Sequence, residues 1–153
     1  MWTLHVPAIF DERVTSASPE LRSAALLLRV GRLDEARPAI ERVLRENPDS
    51  ADAHALLAVI AVVENDKDQA LALANKAVSL DRTAATLISL SYAHQARFEI
   101  AQARADARQA TEVQPQYALA WARLAEMDMA SGDLRPAVAA RSEERRVGKE
   151  CRL

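Results

Sequence analysis

Apolar and polar positions along the chain follow the period of amphipathic helices. One stripe has the spacing i, i+4, i+7 and i+8 and consists of Ala36, Ile40, Val43 and Leu44. The same stripe returns further along the chain as Ala70, Ala74, Ala77 and Val78. Residues 52–64 between the two stripes are nearly all apolar, which is typical of a helix covered by neighbours on several sides. The pattern therefore predicts that tight turns alternate with helices of about a dozen residues.

The predicted turns repeat in phase with the helices. Residues 31–36, 65–70 and 132–137 each begin with Gly or Asn, which tolerate a positive φ, and each end in Ala after residues suited to a helix start. The first two segments are one period of about 34 residues apart, and the third follows two periods later. Pro48 and Pro115 are also two periods apart. The common spacing indicates that one structural unit is repeated along the chain.

The third unit is the least regular. Residues 90–101 are typical of a first helix and its turn if Ala96 stands where the other units have Gly or Asn. The second helix fits better if its buried small residues are Ala103, Ala107 and Ala110. Because these two registers differ by two residues, we expect a shortened link near residues 82–85 and extra length near residues 101–103.

This spacing resembles the tetratricopeptide repeat, whose pattern is W-x2-L-G-x2-Y, then A-x3-F, then P. The fourth unit carries the pattern best, in Trp121, Leu124, Ala125, Gly132 and Ala137. The resemblance covers residues 19–140 and implies an all-α fold, a right-handed α-solenoid of about four helix–turn–helix repeats. The expected units are residues 17–50, 51–83, 84–117 and 118–141.

Neither end of the chain matches the repeat. Residues 1–16 are a non-repeat segment that resembles the linker after an N-terminal domain in some large bacterial envelope repeat proteins. Residues 142–153 resemble translated adapter or vector sequence, and the alternative is a charged cap that is disordered or extends the last helix. We expect deletion of residues 142–153 to cost little stability, because they add almost no apolar burial. The sequence does not determine the compartment, and the alternatives are the cytoplasm, or the periplasm and cell envelope if the N-terminal resemblance holds.

Composition and charge narrow the function classes. The chain is 50% hydrophobic but only 4% aromatic, which favours closely packed helices. Its 20 Lys and Arg residues nearly balance 22 Asp and Glu residues, so the net charge of −2 gives no broad attraction to nucleic acid or to an anionic membrane. The longest apolar run, residues 55–63, is too short to span a bilayer.

No pattern in the sequence predicts catalysis. His5, His54 and His94 are scattered without Cys or His partners at helical ligand spacing, so we expect no metal site and interpret His54 as a packing or groove residue. Asp66 and Asp68 are interpreted as helix caps. With only 3 glycines the chain lacks a Gly-rich phosphate loop. We expect neither enzyme activity nor a cofactor.

The resemblance also implies where a partner would bind. In that family the first helices of successive repeats line a concave groove that holds an extended peptide or a partner helix. Carried over to this sequence, the implied groove residues are Arg22, Ala25, Arg29, Asp52, Ala55, Val59, Ala122, Arg123, Glu126 and Met129. Leu56 and Val63 either contact the ligand or seal one repeat to the next.

The sequence therefore predicts a protein–protein interaction scaffold, expected to be a fragment of a larger bacterial protein. The alternative is a docking or regulatory segment of a larger enzyme whose catalytic domain is absent here. Expected partners are proteins or peptides rather than nucleic acid or a membrane interior. The open ends of a solenoid also allow self-association.

Overall fold

The computed structural model describes Ile9 and residues 18–150, and it places eight α-helices in that part of the chain. The helices are α1 (Pro19–Arg29), α2 (Leu33–Glu46), α3 (Ala51–Val63), α4 (Lys67–Leu80), α5 (Ala84–Ala96), α6 (Ile100–Val113), α7 (Ala118–Ala130) and α8 (Leu134–Glu150). None of the described residues forms a strand. The predicted all-α repeat solenoid is confirmed.

The helices form four pairs. We call α1, α3, α5 and α7 the first helices, and α2, α4, α6 and α8 the second helices. The first helices have 11 or 13 residues, and the second helices have 14 residues except α8, which has 17. Each pair packs together as an antiparallel hairpin, since only three residues separate its two helices.

The four turns inside these pairs share one backbone geometry. Each contains one residue with a positive φ, namely Gly31 (79°), Asn65 (61°), Phe98 (63°) and Gly132 (78°). The amide after that residue donates to a carbonyl five residues earlier, over N···O distances of 2.8 to 3.0 Å. This is the Schellman ending of a helix, in which a left-handed residue lets the last amides bond backward.

Phe98 corrects the predicted register of the third unit. The sequence predicts Ala96 at the turn, yet the positive φ lies at Phe98, about one repeat length after Asn65 and one before Gly132. The prediction was wrong because a bulky aromatic residue rarely adopts this conformation. With Phe98 at the turn, both helices of the third unit share one register and residues 101–103 contain no extra length.

The other third-unit predictions are confirmed. The link at residues 81–83 between α4 and α5 has three residues, whereas the links at 47–50 and 114–117 have four. This is the shortening expected near residues 82–85. The small residues Ala103, Ala107 and Ala110 are fully buried.

One alanine position repeats in every second helix. Five residues after each turn residue stand Ala36, Ala70, Ala103 and Ala137, and all four are at most 5% exposed. A methyl side chain here lets the second helix approach its first helix closely, which a larger side chain would prevent.

Side-chain caps fix several helix starts. Ser18, Ser50 and Thr83 accept hydrogen bonds from amides at the starts of α1, α3 and α5. Asp66 caps α4 by accepting from the Gln69 amide at 3.1 Å, as predicted. Asp68 is not a cap: its exposed carboxylate pairs with Arg97 of the next repeat.

The ends of the array differ from expectation in one respect. Helix α8 continues to Glu150, and Val147 within it is only 2% exposed. The premise that residues 142–153 add almost no apolar burial is therefore wrong. Apart from Ile9, the predictions for residues 1–16, and those for residues 151–153, lie outside the described residues.

Candidate functional site

The packing order of the helices creates two different sides. Helix α1 contacts α3, α3 contacts α5, and α5 contacts α7, so the first helices form a continuous layer. Within residues 18–150, by contrast, no two second helices come into contact with each other. Because first helices lie closer together than second helices, the layer of first helices is the inner side of the array.

All ten predicted groove residues lie on first helices, and we call this set the first-helix face. Seven are half-buried or exposed, namely Arg22, Ala25, Arg29, Asp52, Ala122, Glu126 and Met129. The remaining three, Ala55, Val59 and Arg123, are at most 3% exposed. The face therefore has accessible ends on α1 and α7 and a covered middle on α3.

The covered middle belongs to a buried cluster that includes a residue distant in sequence. Ile9 is 2% exposed and lies in the same apolar cluster as Leu56, Val59 and Ile88. Its carbonyl oxygen accepts a hydrogen bond from the Tyr117 hydroxyl at 2.5 Å, and Tyr117 is 1% exposed. No pattern in the sequence indicated this contact.

Arg123 joins the third and fourth repeats. Its guanidinium donates to the Ser91 hydroxyl at 2.9 Å, the Ser91 carbonyl at 3.2 Å and the Gln95 side-chain oxygen at 2.8 Å. It also lies 3.8 Å from the centre of the Tyr92 ring and 3.0 Å from Glu126. A nearly fully buried cation thus has its donors matched by acceptors, which offsets the cost of desolvation.

Tyr92 is held by the contact between its ring and the Arg123 guanidinium. Burial raises the pKa of its hydroxyl to about 12, against an opposing effect of the Arg123 charge. The ring is therefore neutral at physiological pH and presents its face to Arg123, the geometry of a cation–π contact.

Two more polar pairs connect helices of the last two repeats. Arg104 of α6 lies 2.5 Å from Asp128 of α7, whose side chain is only 2% exposed. His94 of α5 lies 2.6 Å from Asp106 of α6. Burial raises the pKa of the Asp106 carboxyl, while the hydrogen bond and charge of His94 act in the lowering direction. These side chains connect helices, and Arg104 also lines a cleft between α6 and the end of α7.

His54 and Trp121 have equivalent roles in the second and fourth units. The His54 Nε2 atom lies 2.9 Å from the Pro48 carbonyl oxygen, and the Trp121 Nε1 donates to the Pro115 carbonyl at 2.8 Å. Each ring thus ties the start of its helix to the preceding link. A carbonyl can only accept, so His54 carries its proton on Nε2 in this bond.

A separate cleft of about 880 Å³ lies where α1 and α3 begin and α2 ends. It includes only Asp52 of the first-helix face, together with other carboxylates such as Glu20, Glu46 and Asp81 and the cation Arg42. Burial raises the pKa of the Asp52 carboxyl, and the nearby charge of Asp81 adds to that effect. The cleft lies among the helix ends and links of the first two repeats.

The described residues contain neither a metal-binding cluster nor a membrane span. Over Ile9 and residues 18–150, no group of three or more His, Cys, Asp or Glu side chains is arranged to hold a metal ion. Over the same residues, no helix combines the length and apolar character needed to cross a membrane.

Sequence reasoning missed the contacts of Arg123, Asp128 and Tyr117. The available signal was composition, since Arg123, Glu126 and Asp128 interrupt an otherwise apolar helix at residues 118–130. A charge inside an apolar helix is either a surface residue or one half of a buried pair. Only the neighbouring helices distinguish the two.

Comparison with known proteins supports the repeat assignment. Residues 21–85 match the family model described as tetratricopeptide repeat. No curated protein sequence matches the chain. The fold is similar to a solved structure described as a thermophilic TPR protein in Thermus thermophilus, with a TM-score of 0.75 and 24% identity over 87% of this chain and 76% of that chain.

Two further solved structures share the fold. MamA from Desulfovibrio magneticus RS-1 matches with a TM-score of 0.64 and 15% identity, covering 86% of this chain and 75% of that chain. Yeast Tom70 matches with a TM-score of 0.61 and 20% identity, covering 82% of this chain but 28% of that chain. At these identities the likeness concerns the fold alone.

Proposed function

We propose that the chain binds an extended peptide or a partner helix on its first-helix face, since residues 21–85 match the tetratricopeptide repeat, whose repeats serve as protein-interaction scaffolds. The observation that carries the proposal is the continuous layer formed by α1, α3, α5 and α7. Such a layer offers side chains from four repeats to one ligand, which a single helix pair could not do.

The accessible ends of the first-helix face supply two kinds of contact. Ala25, Ala122 and Met129 are apolar and at least partly exposed, and Met129 is 61% exposed. A flexible thioether adapts to irregular apolar surfaces, so Met129 suits a partner with an aliphatic or aromatic anchor. Small alanines leave room for that anchor between neighbouring helices.

The face carries cations at its first end that stand apart from its other charges. Arg22 and Arg29 lie on α1, Asp52 lies on α3, and on α7 the Glu126 carboxylate is paired with Arg123 at 3.0 Å. A ligand with an acidic residue at the end that meets α1 would match this arrangement, and the reversed orientation would be disfavoured. We therefore expect partner selection to depend on ionic strength.

The test begins with peptides selected from a display library against the full chain. Binding of a selected peptide is then measured by fluorescence anisotropy for Arg29→Glu and Met129→Glu. Each should weaken binding roughly tenfold or more, about 1.4 kcal/mol, because each places a carboxylate on the first-helix face.

Matched control variants carry the same new carboxylate on second helices. Arg45→Glu of α2 and Val138→Glu of α8 change exposed residues on the other side of the array. Their affinities should stay within about twofold of the unmodified chain. Equal losses on both sides, or losses only on the second helices, would contradict the proposed groove.

Nucleic acid is the control ligand. The net charge of −2 and the mixed charges of the first-helix face give little electrostatic attraction to phosphates. We therefore expect no salt-sensitive binding of single-stranded RNA under conditions in which the selected peptide binds.

A further inference from the structure

Ile9 is held by two different contacts, one through its side chain and one through its backbone carbonyl. Its side chain belongs to the apolar cluster that contains Val59 and Ile88 of the first helices. Its backbone carbonyl is bonded to the Tyr117 hydroxyl at 2.5 Å. Both Ile9 and Tyr117 are almost fully buried.

This combination is how a groove holds an extended peptide. A pocket that buries a side chain selects the residue type, and a hydrogen bond to the peptide backbone fixes the register. The Tyr117 hydroxyl is a buried donor that requires an acceptor, and a backbone carbonyl satisfies it whatever side chain that residue carries. Tyr117 is contributed by the link before α7, so it stands beside the first-helix layer and not within it.

The connection between Ile9 and the helical array is long enough for this contact to be intramolecular. Ser18, which caps α1, follows Ile9 by nine residues. Nine residues span at most about 30 Å. Three steps between neighbouring helices, each of about 8 to 10 Å, separate α1 from α7, so the chain can reach from α1 to Tyr117.

We propose that Ile9 is a built-in occupant of the groove, which a partner must displace. This inference rests on the proposed binding function of the first-helix face. The site takes an extended segment with an Ile or another aliphatic side chain, whose carbonyl accepts from Tyr117. Because the occupant is tethered, its effective concentration is high, so the unmodified chain binds a competing segment weakly.

The probe is a fluorescent synthetic peptide with the sequence of residues 4–14, titrated into the full chain. The unmodified chain should bind it weakly. Ile9→Asp in the chain should strengthen binding at least tenfold, because a carboxylate leaves the apolar pocket and frees it. In the Ile9→Asp chain, Tyr117→Phe should reduce peptide affinity about fivefold, because only the hydroxyl is removed.

Three controls accompany the titration. A peptide with Asp in place of the residue corresponding to Ile9 should not bind. Val138→Asp, which places the same carboxylate at a 67% exposed site, should leave peptide affinity unchanged. The milder Ile9→Ala should strengthen peptide binding less than Ile9→Asp while keeping the helical circular-dichroism signal of the unmodified chain.

The proposal fails if the peptide binds the unmodified and Ile9→Asp chains equally. It also fails if Ile9→Ala and Ile9→Asp both lose stability and neither gains peptide affinity, since Ile9 is then a fixed core residue. A dimer that dissociates on Ile9→Asp would place Ile9 in a second copy and overturn the intramolecular occupant. A library-selected peptide that depends on Arg29 and Met129 but not on Ile9 would leave the groove function standing while this inference fails.

Discussion

Phe98 stands at a turn position that glycine or asparagine occupies in the other three repeats. Its φ of 63° lies in the left-handed region, which costs a residue with a β-carbon about 1 to 2 kcal/mol. The ring is 81% exposed, and the Lys67 ammonium lies 5.0 Å from its centre. An exposed cation–π contact of about 0.5 to 1 kcal/mol offsets only part of that strain.

We therefore expect Phe98→Gly to stabilise the fold by roughly 0.5 to 1 kcal/mol, because glycine adopts this φ without strain. The measurement is the free energy of unfolding from urea titration followed by circular dichroism. Gly31→Ala is the inverse experiment and should destabilise the fold by about 1 kcal/mol, because alanine is strained at a φ of 79°. No atom crowds the added methyl, so this backbone strain is the whole cost.

Gly148→Ala serves as the control for both substitutions. Gly148 lies inside α8 without a positive φ and with open space around its α-carbon. Alanine there should be neutral or stabilising by up to about 1 kcal/mol through helix propensity. Destabilisation by Phe98→Gly would mean that the aromatic ring contributes more than the strain costs.

At the scale of helices, the last repeat is joined to the third by polar contacts as much as by apolar packing. Arg123 connects α7 to Ser91 and Gln95 of α5, and Arg104 of α6 pairs with Asp128 of α7. The first repeats are joined mainly through apolar side chains such as Leu56. Polar contacts are directional, so they fix the position of α7 on α5 more strictly than aliphatic packing does.

Arg123→Ala should destabilise the chain by about 3 kcal/mol, because it leaves the buried acceptors of Ser91 and the half-buried acceptor of Gln95 without their donor. Amide hydrogen exchange should accelerate most in α7 and α8. Arg108→Ala on the exposed side of α6 is the matched control and should stay within about 0.5 kcal/mol. If both substitutions have the same small effect, the buried contacts of Arg123 do not hold the fourth repeat.

At the scale of the whole molecule, helix–helix contacts within residues 18–150 run only between helices that are near neighbours in the array. Stability in such an array is close to a sum over repeats and their interfaces, so the ends fray first. The last described helix has no following repeat to cover it within residues 18–150. Beyond Ala140, α8 therefore packs on the array through the buried side chain of Val147, which is 2% exposed.

Val147→Ala should lower the free energy of unfolding by about 1 to 2 kcal/mol, because two buried methyl groups are lost. The matched control is Val138→Ala in the same helix, at a side chain that is 67% exposed, which should change stability by less than about 0.5 kcal/mol. Thermal and urea unfolding of the two variants measure the difference. Equal effects would show that residues 142–150 do not pack on the array, as the sequence alone had suggested.

The sequence by itself determined the period, the helices and most of the turns. Amphipathic stripes, capping hydroxyls and residues that accept a positive φ act over a few neighbouring positions, so the bonds at Ser18, Gly31 and Asp66 could be predicted locally. The sequence also placed the ten groove residues on first helices. That these residues bind a partner stays a prediction.

Only the tertiary structure decided the register at Phe98, the burial of Arg123 and the contact between Ile9 and Tyr117. The turn at Phe98 has a conformation that its own residue type disfavours, so neighbouring helices fix it rather than local preference. Arg123 finds its Ser91 acceptors 32 residues away, and Tyr117 finds the Ile9 carbonyl 108 residues away. Neither separation is encoded in a helical period, because such contacts exist only after the array has brought distant residues together.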